Sequence, residues 1–257
     1  MRPITLEQMS GVKLMNRTDT KFVTTEPMLL RLLELAGDSY RVQDIGGERA
    51  AQYHTLYYDT RSMEMYLMHL HGHTGRQKIR IRSYLGSNLS FLEVKTKNNH
   101  GRTKKKRVAL DFGSVTRAIN GGQGWMDLVT SQRQWVDGHL SYGTGGLVPR
   151  LENNFERLTL VNEAMTERLT IDRLLRFHNR DTGRDIDLTG LVIIELKRDG
   201  LQPSPVTAML RQLRIMPHGF SKYCMGTALT NPDVPRGRFK ERLHSIKRIL
   251  ARQALIS

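Results

Sequence analysis

Cationic side chains recur at every second position in several segments of this chain, the spacing that places them on one face of a β-strand. Lys78, Arg80 and Arg82 alternate with Ile79 and Ile81, and Glu93, Lys95 and Lys97 alternate with Leu92 and Val94. Arg168, Thr170 and Asp172 oppose Leu169 and Ile171, while Glu195 and Lys197 oppose Ile194 and Leu196. Two arrangements fit this pattern. In one, a half-solvated antiparallel sheet turns its charged face to water. In the other, the sheet curls so that the charged face lines a concave channel and helices cover the apolar face. The density of basic residues favours the channel, and its chemistry is that of phosphate. Guanidinium forks pair with phosphate oxygens, ammonium groups act as point charges, and a carboxylate among them serves to hold a divalent cation on the phosphates. Glu195, Glu93 and Asp19 are the carboxylate candidates.

The elements that must position these residues are readable in outline. Residues 78–84 and 91–97 are strands joined by a turn at Gly86–Ser87–Asn88, and a further strand follows at Lys104–Asp111. The run from Gln52 to Asp59 is aromatic and β-prone, and Arg61–Leu70 reads as a turn or short helix. A second β-rich block covers Leu147–Val161 and Glu167–Phe177, followed by a strand at Gly190–Lys197. Helices are expected after Thr24–Thr25–Glu26–Pro27, within Gly113–His139 and at Pro205–Met216, with a loop at Gly143–Gly146. Phe239, Leu243, Ile246 and Leu250 recur at intervals near one helical turn, making the tail an amphipathic basic helix. The expectation is an α+β domain over residues 1–232 with a helical appendage over 233–257.

Composition limits the partners. The chain has 257 residues, 40 Lys and Arg against 25 Asp and Glu, a net charge of +15 and 39% apolar residues. That is enough apolar material for a core, and the charge predicts anionic partners. One cysteine, Cys224, excludes an internal disulfide framework and suggests a reducing compartment. The apolar runs are short of a membrane span and no signal peptide opens the chain, so a cytoplasmic protein is expected.

The order of motifs carries a resemblance. Arg17-x-Asp-x-Lys21, Tyr58-Asp-Thr60, Lys78-x-Arg-x-Arg82, Glu93-x-Lys95, Lys106-Arg107, Arg157, Arg168-x-Thr-x-Asp-Arg173, Glu195-x-Lys197 and Ser221-Lys-Tyr223 together resemble the polyphosphate polymerase domain of the vacuolar transporter chaperone (VTC) family. That family belongs to the triphosphate tunnel metalloenzymes. The resemblance spans about residues 14 to 228. It implies a closed antiparallel β-barrel with a basic tunnel, flanked by helices. The implied activity moves the terminal phosphoryl group of ATP onto inorganic polyphosphate or pyrophosphate, with Mn2+ or Mg2+. By the same resemblance, Lys21, Arg80, Arg82, Lys95, Lys106, Arg157, Arg168 and Lys222 contact phosphates and Glu195 binds the metal. Lys78, Lys97 and Lys197 join the phosphate set through their strand faces. Arg17 and Asp19 stand where tunnel hydrolases carry two glutamates, which favours a polymerase or a binder. In Lys104–Arg107 the register is open, with Lys105 as the alternative to Lys106.

Two other functions share these residues: a non-catalytic module binding polyphosphate or another polyanion, with a membrane-protein partner, and a tunnel triphosphatase. A nucleic-acid patch at Thr103–Arg107 has no recognisable module beside it, so no specific nucleic acid is expected. His69, His71 and His73 alternate without a nearby carboxylate or cysteine and read as loop histidines, and Cys224 reads as a core thiol. The tail stripe reads as packing on the barrel, with an acidic membrane surface as its alternative.

Overall fold

The computed structural model describes the whole chain except residues 10, 13–16, 88, 100–102, 112–114, 116–128, 142–145, 201 and 255–257, and the side chains of 17 and 252–254. Residues 143–145 of the expected Gly143–Gly146 loop and most of the 113–128 stretch thus lie outside the described residues.

One antiparallel sheet dominates. Its main path runs β2 (Arg17–Thr25), β11 (Leu191–Asp199), β9 (Glu167–Asn179), β8 (Leu147–Asn162), β4 (Ala51–Thr60), β5 (Gln77–Tyr84), β6 (Leu89–Lys97) and β7 (Thr103–Leu110). The short strands β1 (Arg2–Ile4), β3 (Tyr40–Gln43) and β10 (Asp185–Leu188) attach to its margins, β1 through the fold's parallel pairing with β3. Seven helices accompany it among the described residues: α1 (Leu6–Met9), α2 (Glu26–Ala36), α3 (Glu64–His71), α4 (Thr130–Asp137), α5 (Pro205–Gln212), α6 (Lys222–Thr230) and α7 (Lys240–Ala254). Helix α2 starts where Thr25 leaves the strand and Pro27 enters the first turn, and it buries Leu29, Leu32 and Ala36. His69 and His71 belong to α3 and not to a loop.

Register shows how the two faces differ. On the outer face, Phe22, Leu169, Ile171, Ile194 and Leu196 pack under α2 and α5, and Leu56, Ile79, Ile81, Leu92 and Val94 pack with Val136 of α4. The inner face changes character along β2, β11 and β9. Lys21 gives way to Val23, Glu195 to Ile193, and Asp172 to Leu175 and Phe177. The apolar end of this face joins Tyr223, Cys224 and Met225 of α6 and Leu243 and Ile246 of α7 in one core. The tail helix therefore lays its Phe239 stripe on the protein's own core, and Cys224 is fully buried. A bulge makes the change possible in β9. Asp172 pairs with Arg157 and Phe177 with Asn153, with a register shift between Asn154 and Glu156. Leu174 takes a positive φ of 51° there, so Asp172 and Leu175 face inward although three positions apart.

The expected closed barrel is not formed. Strands β2 and β7 are the two ends of the path, and among the described residues they do not pair with each other. The free edge of β2 is occupied: His218 N–H donates to Lys21 O at 2.7 Å, and Phe22 bridges Pro217. At the other end, four successive basic residues make β7 a repelling edge. The sheet is an open, curled trough.

Candidate functional site

The trough gathers the alternating cations. Antiparallel register places Lys78 beside Lys95 and Arg80 beside Glu93, puts Arg82 on the same face, and sets Glu195 between Lys21 and Thr170. Lys197 lies between Asp19 and Arg168, and Arg157 lies opposite Asp172. Lys97 continues the face of Lys95. Lys106 departs from its expected place: it pairs with Val94 and belongs to the outer side, while Lys105 and Arg107 occupy the inner face opposite Lys95 and Glu93. The motif containing four basic residues in succession cannot reveal this parity by itself.

Three carboxylates on the inner face are each clamped by two cations. Glu93 accepts from Arg80 at 2.6 and 2.8 Å through Oε2, and from Lys105 at 3.0 Å through Oε1. Asp172 accepts from Arg157 at 2.6 and 2.8 Å and meets Lys222 at 2.7 Å. Glu195 lies 2.8 Å from Lys197 and 3.6 Å from Lys21. Burial would raise all three carboxyls, but the adjacent cations outweigh it and hold each well below the usual carboxylate range.

Arg82 and Lys95 differ from these clamped cations, because among the described residues neither has an ion-pair partner. Arg82 is buried with its Nε unpartnered. Burial, then Arg80 and Arg157, push its guanidinium down to about 10. It lies over the rings of Tyr53 and Phe155, 5.4 and 5.7 Å from their centroids. The same stacked pair carries Arg157 at 5.2 and 5.5 Å, and Lys222 lies 2.8 Å from the centroid of Phe155. Lys95 is held well below an ordinary lysine by Arg80 and then by burial. Among the described residues Lys78 donates only to the neutral Ser221 Oγ, at 2.9 Å, and burial brings it down to about 8.

Residues 220–222 tie the two arms of the trough together. Lys21 from one arm donates to Phe220 O at 3.2 Å, Lys78 from the other reaches Ser221, and Lys222 reaches Asp172 on the floor. Ser221 also caps α6 by accepting from Cys224 N–H. Asp59 anchors this assembly from beneath, accepting from Met65 N–H and Tyr66 N–H at the start of α3 and from Tyr223 Oη.

The carboxylates set terms for a divalent cation. Glu93 and Asp172 have both oxygens held by cations at 3.0 Å or less, whereas Glu195 Oε1 stands 3.6 Å from Lys21, which makes Glu195 a more available ligand than Glu93. Glu195 is partly accessible, and exposed Asp19 lies diagonally across on β2. Among the described residues no cluster of three His, Cys, Asp or Glu side chains is present, the alternating histidines included. The set fits a Mg2+ or Mn2+ carried mainly by phosphate oxygens and water, with one or two protein carboxylates.

Tyr53 and Phe155 are site residues that reading the strands one at a time misses, while Asp172, Lys105 and Ser221 stand in the sequence within an alternation, an open register and a motif without an assigned role. Asp172 has a visible signal, since it shares the alternation of Arg168 and Thr170. The aromatic pair has none, because its members are brought together only by β4–β8 pairing.

Comparison with known proteins agrees with this architecture. A family model described as the VTC domain matches residues 16–231. A solved structure from Hippeastrum, described as an adenylyl cyclase with a dominant triphosphatase activity, is 16% identical with a TM-score of 0.50, covering 82% of this chain and 95% of that one. One from Vibrio parahaemolyticus, described as an adenylate cyclase, is 10% identical with a TM-score of 0.45, covering 82% and 97%. The Pct1 RNA triphosphatase of Schizosaccharomyces pombe is 8% identical with a TM-score of 0.30, covering 96% and 86%. No curated protein matches the chain. The first likeness shows a fold of the triphosphate-tunnel type.

Proposed function

The chain belongs to the VTC domain family, and from that premise we propose that it is a polyphosphate polymerase acting on ATP in the trough. The observation that carries this reading is the pair of cations without carboxylate partners, Arg82 and Lys95, set among carboxylates that are already doubly clamped. Anionic oxygens are the partners such a face lacks. Phosphates of ATP would lie along Lys78, Arg82 and Lys95, and the acceptor polyphosphate or pyrophosphate would approach over Lys21, Lys197 and Arg168. A terminal oxygen of the acceptor attacks the γ-phosphorus, the bond from that phosphorus to the β–γ bridging oxygen breaks, and ADP leaves with its electron pair. Fixed cations align the two anions and stabilise the charge on the transferring group. Glu195, with Asp19 beside it, would hold Mn2+ or Mg2+, which supplies further charge neutralisation on the phosphates.

A triphosphatase would use water, which must lose a proton. Three of the inner carboxylates, Glu93, Asp172 and Glu195, are held so strongly ionised that they are poor bases. An acceptor phosphate oxygen is already anionic and needs none, which supports polymerisation over hydrolysis. Incubation with ATP labelled at the γ-phosphate, followed by gel separation, tests this. The label should enter a ladder of lengthening polyphosphates; label recovered only as orthophosphate would contradict the reading.

A further inference from the structure

Among the described residues strand β7 pairs only with β6, and none of them pairs with its other side. Lys104, Lys105, Lys106 and Arg107 succeed one another along it, and all four are exposed. They alternate in direction. Lys105 and Arg107 continue the trough, whereas Lys104 and Lys106, opposite Thr96 and Val94, point to the outer side. Lys105 is paired with Glu93 and Arg107 covers the ring of Phe91 at 4.4 Å. Lys104 and Lys106 meet no carboxylate among the described residues. Charge on an edge discourages strand pairing, but that purpose does not require an unbroken run passing from the inner face to the outer one.

We propose that this edge is a second anion-binding site, which takes the part of a linear polyphosphate that has left the trough. The proposal rests on the polymerase reading and adds a subsite outside the reacting centre. Its continuity with Lys105 and Arg107 gives a chain leaving the trough an uninterrupted line of cations. Single-stranded nucleic acid fits less well, because base stacking needs open aromatic faces. Thr103–Leu110 contains no aromatic residue, and the adjacent Phe91 is covered by Arg107.

The test is Lys104→Glu combined with Lys106→Glu in the full chain, titrated with inorganic triphosphate, long-chain polyphosphate and single-stranded RNA at several salt concentrations. Triphosphate affinity should stay within about twofold, while long-chain affinity falls about tenfold or more with a shallower salt dependence. The Lys104→Gln, Lys106→Gln pair should lose less. Unchanged long-chain affinity, or an equal loss of triphosphate, would overturn the proposal. RNA bound as tightly as polyphosphate and lost in the variant would also overturn it, making the edge a nucleic-acid surface. Wild-type protein that bound long chains through this edge but not triphosphate would overturn the polymerase reading and leave the edge site standing.

Discussion

Arg82 shows how a buried cation can be held without being neutralised. Aromatic faces attract a guanidinium through their quadrupole and leave its full charge available to a ligand, which a carboxylate would cancel. The stacked Tyr53–Phe155 pair does this for Arg82, whereas Arg157, over the same rings, is also paired with Asp172. Such a charge is costly when no anion is bound. Arg82→Met should therefore raise the melting temperature of the ligand-free protein by calorimetry, while triphosphate affinity falls about 100-fold, on the order of 3 kcal/mol. A joint fall in both would mean a structural role. Lys78 adds a pH dependence. Its ammonium titrates near 8 in the folded protein, below the ordinary lysine value of 10.5. Above pH 8 the trough loses this charge, so the KM for ATP should rise between pH 8 and 9. Stability moves the other way: between the folded and unfolded values the unfolded chain binds the extra proton, so the Lys78 contribution to ligand-free stability increases with pH. Lys78→Met should remove both trends, and a KM profile identical to wild type would refute the assignment. The alternation at 78–82 and 93–97 made these positions legible in the sequence. The choice between Lys105 and Lys106 was not legible, because it depends on a pairing partner and not on spacing.

At the level of elements, α6 decides how the arms of the trough meet. It is buried on nearly every side from Tyr223 to Ala228, so its sequence lacks the helical apolar stripe that would announce it. Ser221-Lys222-Tyr223 was readable only as a motif, whereas the hairpin strands and α2 carried periodicity and turn chemistry strong enough to place them. Gly226 lets α6 sit close to the sheet: a Cβ there would lie 2.6 Å from Phe177 Cδ1 and 2.7 Å from Leu151 Cδ2. Gly226→Ala should destabilise the protein by ~1–3 kcal/mol through overpacking. It should also raise the KM for ATP, because Lys222 begins the displaced helix. A loss of stability with an unchanged KM would show that α6 does not position the site.

Over the whole molecule, the clustering of cations on one face follows from one fact: charged and apolar residues alternate on neighbouring strands in matching register. Closure into a barrel was expected and does not occur, since it depends on which segment reaches the edge of β2. Residues 217–218 take that edge, and residues 220–222 join the arms through side chains. No periodic pattern in the chain encodes that contact. Among the described residues no helix is long and apolar enough to cross a membrane. The proposed place where phosphoryl groups are joined is the trough, with its unneutralised Arg82. Phosphorus NMR of the protein with ATP, Mn2+ and a little pyrophosphate, run beside Arg82→Met, tests this most directly. A growing internal-chain phosphate signal is expected in the wild type and none in the variant. Orthophosphate as the sole new signal, or polymer growth undiminished in Arg82→Met, would contradict it.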